Sequence, residues 1–206
     1  MHEHSFIFES DMRTRDESKE VAIREKAIEM IVKEGFDGLS MQKLAKAANV
    51  SPATIYLYFK NREDLLNQLY IGIDKLFTEE TLKHFSPDMN LEEGLWLQWK
   101  NRFAYHTKYP QHIHFMEQFR NSPLINHKDI KENNFKQAMG AFFRNAVKRN
   151  EMVDLPVEVF WAIAYGPLYT LIKFHSGKKS LMGTKFILTE QRMKQAFNAV
   201  IKALKK

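Results

Sequence analysis

The sequence predicts an all-α protein of about nine helices, with an N-terminal head and a C-terminal helical domain. Apolar residues recur every three or four positions along most of the 206 residues, which is the spacing of one helix face. No stretch alternates convincingly between apolar and polar residues, as a half-buried strand would. The 8 glycines and 6 prolines fall mostly where the predicted helices end, and the 44% hydrophobic content is enough to bury a core.

The composition excludes several classes of protein. The chain has no cysteine, which rules out a disulfide scaffold, thiolate metal sites and a cysteine nucleophile, and which fits a reducing cytoplasm. No apolar run approaches the roughly 20 residues that a membrane-spanning helix needs. Residues 1–15 include acidic side chains and no long apolar segment, so they do not resemble a signal peptide. We therefore expect a globular cytoplasmic protein.

The N-terminal part divides into an arm and the start of the head. Residues 1–17 show no helical periodicity, which predicts a flexible arm. The first helix is predicted over 18–34, and Gly35 ends it. We assign residues 18–66 to the head and residues 67–206 to the C-terminal domain.

Two short helices follow the first, separated by a tight turn. Ser40 is a suitable N-cap for a helix over 41–48. Asn49 comes next, and asparagine tolerates the left-handed conformation that a tight turn needs. Ser51 then precedes a proline at the first helical position, which predicts a third helix over 52–58.

The remaining helices are bounded by capping residues, glycines and prolines. Asn61, Asn90 and Thr189 are predicted N-caps of the fourth, fifth and last helices. Pro167 lies inside the penultimate helix and is expected to kink it. The predicted ranges are about 61–84, 90–109, 110–120, 123–127, 128–149, 156–177 and 189–204.

The charge distribution singles out residues 38–62. This window carries four basic side chains and no acidic one, whereas residues 1–37 carry six basic and ten acidic side chains. An acid-free window is expected where DNA phosphates approach, although a window this short can also lack acids by chance. Its two short helices have small or apolar residues at the inward positions, as a helix-turn-helix requires: Leu44, Ala45, Ala48, Val50 and Ile55. These features support a DNA-reading motif and an ordinary helical hairpin equally.

The run from Ala27 to Leu66 resembles the DNA-binding domain of the tetracycline-repressor (TetR) family. The matching elements are Ala27-Ile28, Glu34-Gly35-Phe36, Leu39-Ser40, Leu44-Ala45, Val50-Ser51, Thr54-Ile55-Tyr56, Tyr58-Phe59 and the run from Lys60 to Leu66. The combination is specific because it fixes residue types across three helices and a turn. Two positions depart from the family pattern, since Asn49 stands where glycine is usual and Arg62 where lysine is commoner.

The resemblance implies that DNA is contacted from the start of the second helix, along the third and at the start of the fourth. Gln42 and Thr54 are then the expected base readers, because glutamine can pair bidentately with adenine. Lys60 and Arg62 are expected to neutralise phosphates, and the tyrosines of the third helix to contact phosphates or sugars. The full predicted set is Ser40, Met41, Gln42, Ser51, Pro52, Ala53, Thr54, Tyr56, Tyr58, Lys60 and Arg62.

For the C-terminal domain, the resemblance implies dimerisation and a small-molecule pocket whose occupation changes the spacing of two DNA-reading heads. The dimer interface is then expected in the last two helices, 156–177 and 189–204. Their apolar stripes fit the core of a single subunit equally well. The residues of these stripes are Phe160, Ala164, Leu168, Leu171, Phe197, Val200, Ile201 and Leu204.

Aromatic residues concentrate in this domain, where all three tryptophans lie. Buried tryptophan and tyrosine need partners for their N–H and O–H groups, so their clustering predicts a pocket for a small apolar or aromatic effector, although such a stripe is also typical of a core. Arg102, His106 and Lys173 could add a charged anchor if they face inward, and could equally be solvated. The predicted ligand-binding residues are Trp96, Trp99, Phe103, Phe119, Trp161, Tyr165 and Tyr169.

We expect neither an enzyme nor a metal or cofactor site. His112 and His114 are two residues apart and would diverge on a helix, and the chain has no phosphate-binding glycine loop, nucleophile elbow or HExxH motif. The sequence therefore predicts a ligand-responsive repressor that binds a near-palindromic operator as a homodimer. The alternatives are a constitutive DNA-binding module without an effector and an all-helical enzyme.

Overall fold

The computed structural model describes residues 4–120, 134–177 and 181–206, and within these ranges the chain forms nine α-helices and no strand. The predicted all-α fold class is therefore confirmed. The helices are α1 (His4–Gly38), α2 (Met41–Ala47), α3 (Pro52–Tyr58), α4 (Arg62–Thr81), α5 (Leu91–Lys108), α6 (Pro110–Arg120), α7 (Asn134–Lys148), α8 (Val157–Gly177) and α9 (Glu190–Leu204). None of them is long and apolar enough to span a membrane.

The helices belong to two compact units. The first unit contains α1, α2, α3, the part of α4 up to Asp74, and α6, whereas the second contains α4 from Lys75, α5, α7, α8 and α9. This arrangement differs from the predicted division after residue 66 into two continuous segments. The reason is that α6 packs against α1, although about seventy residues separate them along the chain.

Helix α1 begins earlier than the sequence pattern predicts. It is helical from His4, so it includes most of residues 1–17, which were predicted as an arm without regular structure. The sequence has no glycine or proline before Gly35, and nothing in this stretch therefore breaks a helix. Gly35 interrupts α1 as predicted, with a φ of 73° that glycine adopts at no steric cost. The flexibility of the arm stays a prediction.

Side-chain oxygens start five of the helices at the predicted positions. Each oxygen accepts a hydrogen bond from the backbone N–H three residues further on, at 2.8–3.3 Å. The capping residues are Ser40, Ser51, Asn61, Asn90 and Thr189. Helix α4 ends at Thr81 rather than near residue 84. The short helix predicted over 123–127 lies outside the described residues, as does the start of the one predicted over 128–149.

The core of the first unit includes an aromatic group from α6. Phe115 and Phe119 are fully buried, and the ring of Phe36 packs edge-on against both. Tyr70 stacks on Phe119, with 4.9 Å between the ring centroids. This position corrects the assignment of Phe119 to a ligand pocket in the C-terminal domain, because α6 completes the core of the head instead.

In the second unit, α8 and α9 pack against each other and against α5 and α7. The stripes predicted to form a dimer interface lie inside this packing, and all of their residues except Leu171 are at least 95% buried: Phe160, Ala164, Leu168, Phe197, Val200, Ile201 and Leu204. These side chains therefore form the core of the single chain. The prediction that they are the interface is corrected, because they face the neighbouring helices of their own unit.

Candidate functional site

Helices α2 and α3 form a tight helix-turn-helix in the first unit. Asn49 adopts a φ of 54° between them, which is the left-handed conformation that its residue type tolerates. The backbone N–H of Val50 donates to the carbonyl of Ala45 at 2.9 Å and closes the turn. Leu44, Ala45 and Ile55 are buried between the helices. The inward residues of the motif thus pack α3 against α2 and leave its other face exposed.

The open face of α3 carries most of the predicted DNA contacts. Ser51, Pro52 and Ala53 are exposed at its start, and Tyr56 is 54% exposed one turn later. Thr54 is half-buried, and its hydroxyl shares a 2.8 Å hydrogen bond with that of Ser51. Tyr58 is also half-buried and packs beside Phe59.

Leu57 is an exposed residue of α3 that the sequence analysis did not include. Its side chain is 81% exposed between the two tyrosines, although leucine is an apolar residue that usually avoids water. An apolar side chain on a helix of this kind can contact the methyl group of thymine. Leu57 follows the buried Ile55 by two positions, which places it on the side of the helix away from the core. An apolar residue at such a position was the signal available in the sequence.

The surface around α3 is positively charged. Lys43, Lys46 and Lys60 are exposed, and so is Gln42 near the start of α2. The first carboxylates after α3 in sequence are those of Glu63 and Asp64. Asp64 accepts a hydrogen bond from the backbone N–H of Lys60 at 2.8 Å and two longer ones from the amide of Gln68. The acid-free window of the sequence therefore becomes a surface of exposed lysines beside exposed polar side chains. Such a surface suits the approach of a phosphate backbone.

Two members of the predicted DNA-binding set make contacts within the first unit itself. Met41 is buried and packs in the core. Arg62 donates through Nε to the carbonyl of Leu39 at 3.1 Å and through Nη2 to the carbonyl of Phe36. These carbonyls lie where α1 ends, and that of Phe36 also accepts from the backbone N–H of Leu39 at 3.2 Å. Only a guanidinium presents two donors in one fork, which gives a physical reason for arginine at a position where lysine is commoner.

Replacing Arg62 with methionine is expected to lower the free energy of unfolding by about 1–3 kcal/mol, because both carbonyls lose a charged donor. Thermal unfolding followed by circular dichroism measures this change. The matched control is Lys60→Met, which removes an exposed charge two residues away and should change stability by less than about 0.5 kcal/mol. Equal stability of the two variants would mean that the Arg62 hydrogen bonds contribute nothing to the fold.

A buried arginine surrounded by aromatic rings is the main polar feature of the second unit. Arg102 on α5 is fully buried, and the carbon of its guanidinium lies 4.3–5.9 Å from the centroids of five rings. The rings come from α4, α7 and α8, and we call them the aromatic cage: Phe77, Phe135, Trp161, Tyr165 and Tyr169. Cation–π attraction of this kind can hold a desolvated charge.

Several polar atoms at the cage are buried without a partner. Nη1 of Arg102 donates to the hydroxyl of Tyr169, but Nε and Nη2 find no acceptor. The Tyr165 hydroxyl lies beside the same guanidinium, and Oε1 of Gln98, also on α5, is buried without a hydrogen bond. Arg102 also forms no ion pair with any carboxylate among the described residues. Burial raises the pKa of the Tyr165 hydroxyl to about 12, so it stays neutral at neutral pH.

The rings of the other ligand-binding residues predicted in this unit are not among the five that surround Arg102. Trp99 is fully buried and donates through Nε1 to the carbonyl of Ala164 at 2.8 Å. Trp96 and Trp99 both pack against Phe197, and Phe103 lies against His175. Of the predicted set, Trp161, Tyr165 and Tyr169 are brought together. The sequence analysis missed Phe77 and Phe135, because they come from helices with no sequence signal linking them to α8.

The first unit also has a surface cleft of about 500 Å³ along α1 and α4. Val21, Ile28 and Gly72 contribute to its apolar lining. Its arginine, Arg24, already donates to Glu20 at 2.8 Å and to Gln68 at 2.9 Å. The cleft therefore differs from the cage, where buried donors have no partner. Among the described residues, no group of three or more His, Asp or Glu side chains could hold a metal ion.

Comparisons with known proteins match both units. A family model described as "Bacterial regulatory proteins, tetR family" matches residues 23–69, and one described as "Tetracyclin repressor-like, C-terminal domain" matches residues 96–204. An HTH-type transcriptional regulator from Haemophilus influenzae is 31% identical over 150 residues, which are 73% of this chain and 78% of that protein.

Solved structures show the same fold. A TetR family transcription regulator from Marinobacter aquaeolei superimposes with a TM-score of 0.71 at 25% identity, over 94% of this chain and 99% of that one. The transcriptional regulator FadR from Bacillus subtilis, solved in complex with stearoyl-CoA, superimposes with a TM-score of 0.60 at 17% identity, over 89% of this chain and 98% of that one. At this identity the second match concerns the fold alone.

Proposed function

Because the chain belongs to the TetR family of helix-turn-helix transcriptional regulators, whose members are not enzymes, we propose that it is a ligand-responsive repressor acting on a near-palindromic operator as a homodimer. The observation that carries the proposal is the open face of α3, held by the tight turn at Asn49 and surrounded by exposed lysines. A protein that acts on the chromosome of a bacterium works in the cytoplasm, which is where we place it.

The exposed side chains of the helix-turn-helix suggest how DNA is read. Gln42 and Thr54 are the proposed base readers, and Tyr56 and Lys60 are the proposed phosphate contacts. The remaining exposed members of the predicted set add hydrogen-bonding or apolar contacts near the start of α3. Arg62 and Met41 support the motif from within, so we propose that they act on DNA binding through the fold.

The outer face of α8 supports a homodimer. Residues 159–172 contain no charged side chain, although Val159, Ala162 and Thr170 are exposed along one line of the helix. Interface cores are depleted in charged residues in the same way. A two-fold pairing would let two recognition helices read two half-sites, which a single short helix cannot do with useful specificity. We therefore propose that this outer face, together with the exposed face of α9, meets a second copy of the chain.

The buried cage supports a response to a ligand. Polar atoms that lack partners in the core cost stability unless something satisfies them, and such arrangements cluster at functional sites. The FadR structure with stearoyl-CoA is an example of a protein of this fold that takes a small molecule. We propose that the second unit binds an effector at the cage, and that its differential affinity for two head spacings changes operator affinity, typically by about 1–3 kcal/mol.

Selection of operator sequences from random double-stranded DNA tests the function directly. The purified protein is expected to enrich a near-palindromic motif, with an affinity that falls steeply as salt rises. Lys60→Ala should weaken binding to every sequence and reduce the salt slope by about one unit. Gln42→Ala should instead relax discrimination at one base pair, by about 1–3 kcal/mol. The proposal fails if no motif is enriched and affinity is independent of salt.

A further inference from the structure

The unpaired edge of Arg102 has the geometry of an anion receptor. The guanidinium has two kinds of edge, and Nε together with Nη2 forms the side-on edge that presents two parallel N–H bonds. Both donors of this edge are without acceptors, whereas the opposite nitrogen, Nη1, is bonded to Tyr169. The side chain is fully buried, so these two donors have no contact with bulk solvent. A carboxylate is the group that matches two parallel donors with two acceptor oxygens.

From this geometry we propose that the effector is an apolar carboxylic acid whose carboxylate binds the side-on edge of Arg102. The inference rests on the proposed ligand response of the second unit and names the chemistry of the effector. The neutral Tyr165 hydroxyl, which lies beside the same guanidinium, is a further donor at this place. Arg102 is thus assigned as the residue that recognises the anionic group.

The surroundings favour a carboxylate over a phosphate. The cage places one cation among five aromatic rings, and one guanidinium balances one negative charge. A phosphate monoester carries up to two charges at neutral pH, and the second would be buried without compensation. Aromatic walls also favour an apolar remainder of the ligand, either an alkyl chain or an aromatic ring.

The inference deepens the expectation drawn from the sequence. A purely apolar effector would bury the same rings but would leave Nε and Nη2 of Arg102 unsatisfied, at the same cost as before binding. An acid removes that cost when it binds. The acid should therefore bind more tightly than a neutral molecule of the same shape.

Matched pairs of acids and amides test this on the full-length protein. Decanoate, palmitate, benzoate and naphthoate, each with its own primary amide, are titrated by isothermal titration calorimetry, together with inorganic phosphate and dodecyl phosphate. At least one acid is expected to bind about thirtyfold or more tightly than its amide, which is the scale of a buried charge pair. If no acid binds more tightly than its amide, or if the phosphates bind as tightly as the best acid, the proposal is overturned.

One variant and a matched control test whether the preference for the acid depends on Arg102. Arg102→Met should weaken binding of the best acid by about thirtyfold or more and leave its amide within about threefold, since only the charge pair is lost. The control is Lys194→Met, which removes a cation lying over the rings of Trp96 and Phe197 in the same unit and should bind the acid as wild type does. Amide binding by Arg102→Met also reports that the variant is folded. Equal loss of acid and amide, or an equal effect of Lys194→Met, would overturn the assignment.

Operator binding by the wild-type protein separates this inference from the proposed function. Without any acid, operator affinity tests the DNA-binding proposal alone. With saturating acid, a change in operator affinity supports both. Tight acid binding without any change in operator affinity would support the anion site and contradict the ligand-responsive part of the proposed function.

Discussion

Replacing Trp99 with alanine is expected to lower the free energy of unfolding by about 3–5 kcal/mol, the usual loss when a fully buried large aromatic side chain is truncated. Trp99 has no exposed surface, its ring packs edge-on against Phe197 at 5.4 Å, and its indole N–H donates to the carbonyl of Ala164. The substitution removes all three contributions and leaves a cavity between α5, α8 and α9. Urea denaturation followed by circular dichroism measures the loss.

Trp96→Ala is the matched control for this prediction. Trp96 lies one turn before Trp99 and packs against the same ring of Phe197, but it is only half-buried and has a lysine over its outer face. Its truncation should cost clearly less than that of Trp99. Equal losses at the two positions would show that burial in this core does not determine stability as described. If Trp99→Ala is destabilised as expected, any loss of ligand binding in this variant would reflect less folded protein rather than a missing ligand contact.

The substitution Ala162→Arg is expected to convert the proposed homodimer into monomers and to reduce operator affinity by roughly 10²–10⁴-fold, the range by which linking two binding heads raises affinity. Ala162 is exposed on the uncharged outer face of α8, where a long charged side chain would prevent a second copy from packing. Arginine is a good helix former, so α8 itself should persist. Sedimentation velocity and operator titration measure the two effects.

Ala104→Arg serves as its control. Ala104 is also an exposed alanine within a long helix, but it lies on α5. This variant should remain dimeric and bind the operator as wild type does. If Ala162→Arg is dimeric, or if both variants become monomeric, the proposed interface on α8 is wrong.

Local features of this fold could be predicted from the sequence because short-range chemistry determines them. A capping side chain bonds to an N–H only three residues away, so Ser40, Ser51 and Thr189 identify their helices without any tertiary information. The turn at Asn49 was predictable for the same reason, since residue type alone allows its backbone conformation. The helix-turn-helix is built almost entirely from such local signals, which is why its bounds agree closely with the prediction.

Features that depend on distant helices could not be predicted in this way. Periodicity shows that Phe119 faces a core, but it does not show that the core belongs to the head. The same limit applies to the apolar stripes of α8 and α9, because an interface and a core have the same spacing. The cage around Arg102 requires rings from three other helices, which no local pattern around Arg102 indicates.

The asparagine in the turn between α2 and α3 also affects the unfolded chain. Glycine at this position would adopt the left-handed conformation without strain, but it would leave the unfolded backbone more freedom to lose on folding, by about 0.4–1 kcal/mol. Asn49 restricts that freedom and accepts a comparable strain in the folded turn. The two terms oppose each other, so asparagine and glycine are nearly equivalent in free energy here. The angle between the two helices can thus be kept while the residue at the turn changes.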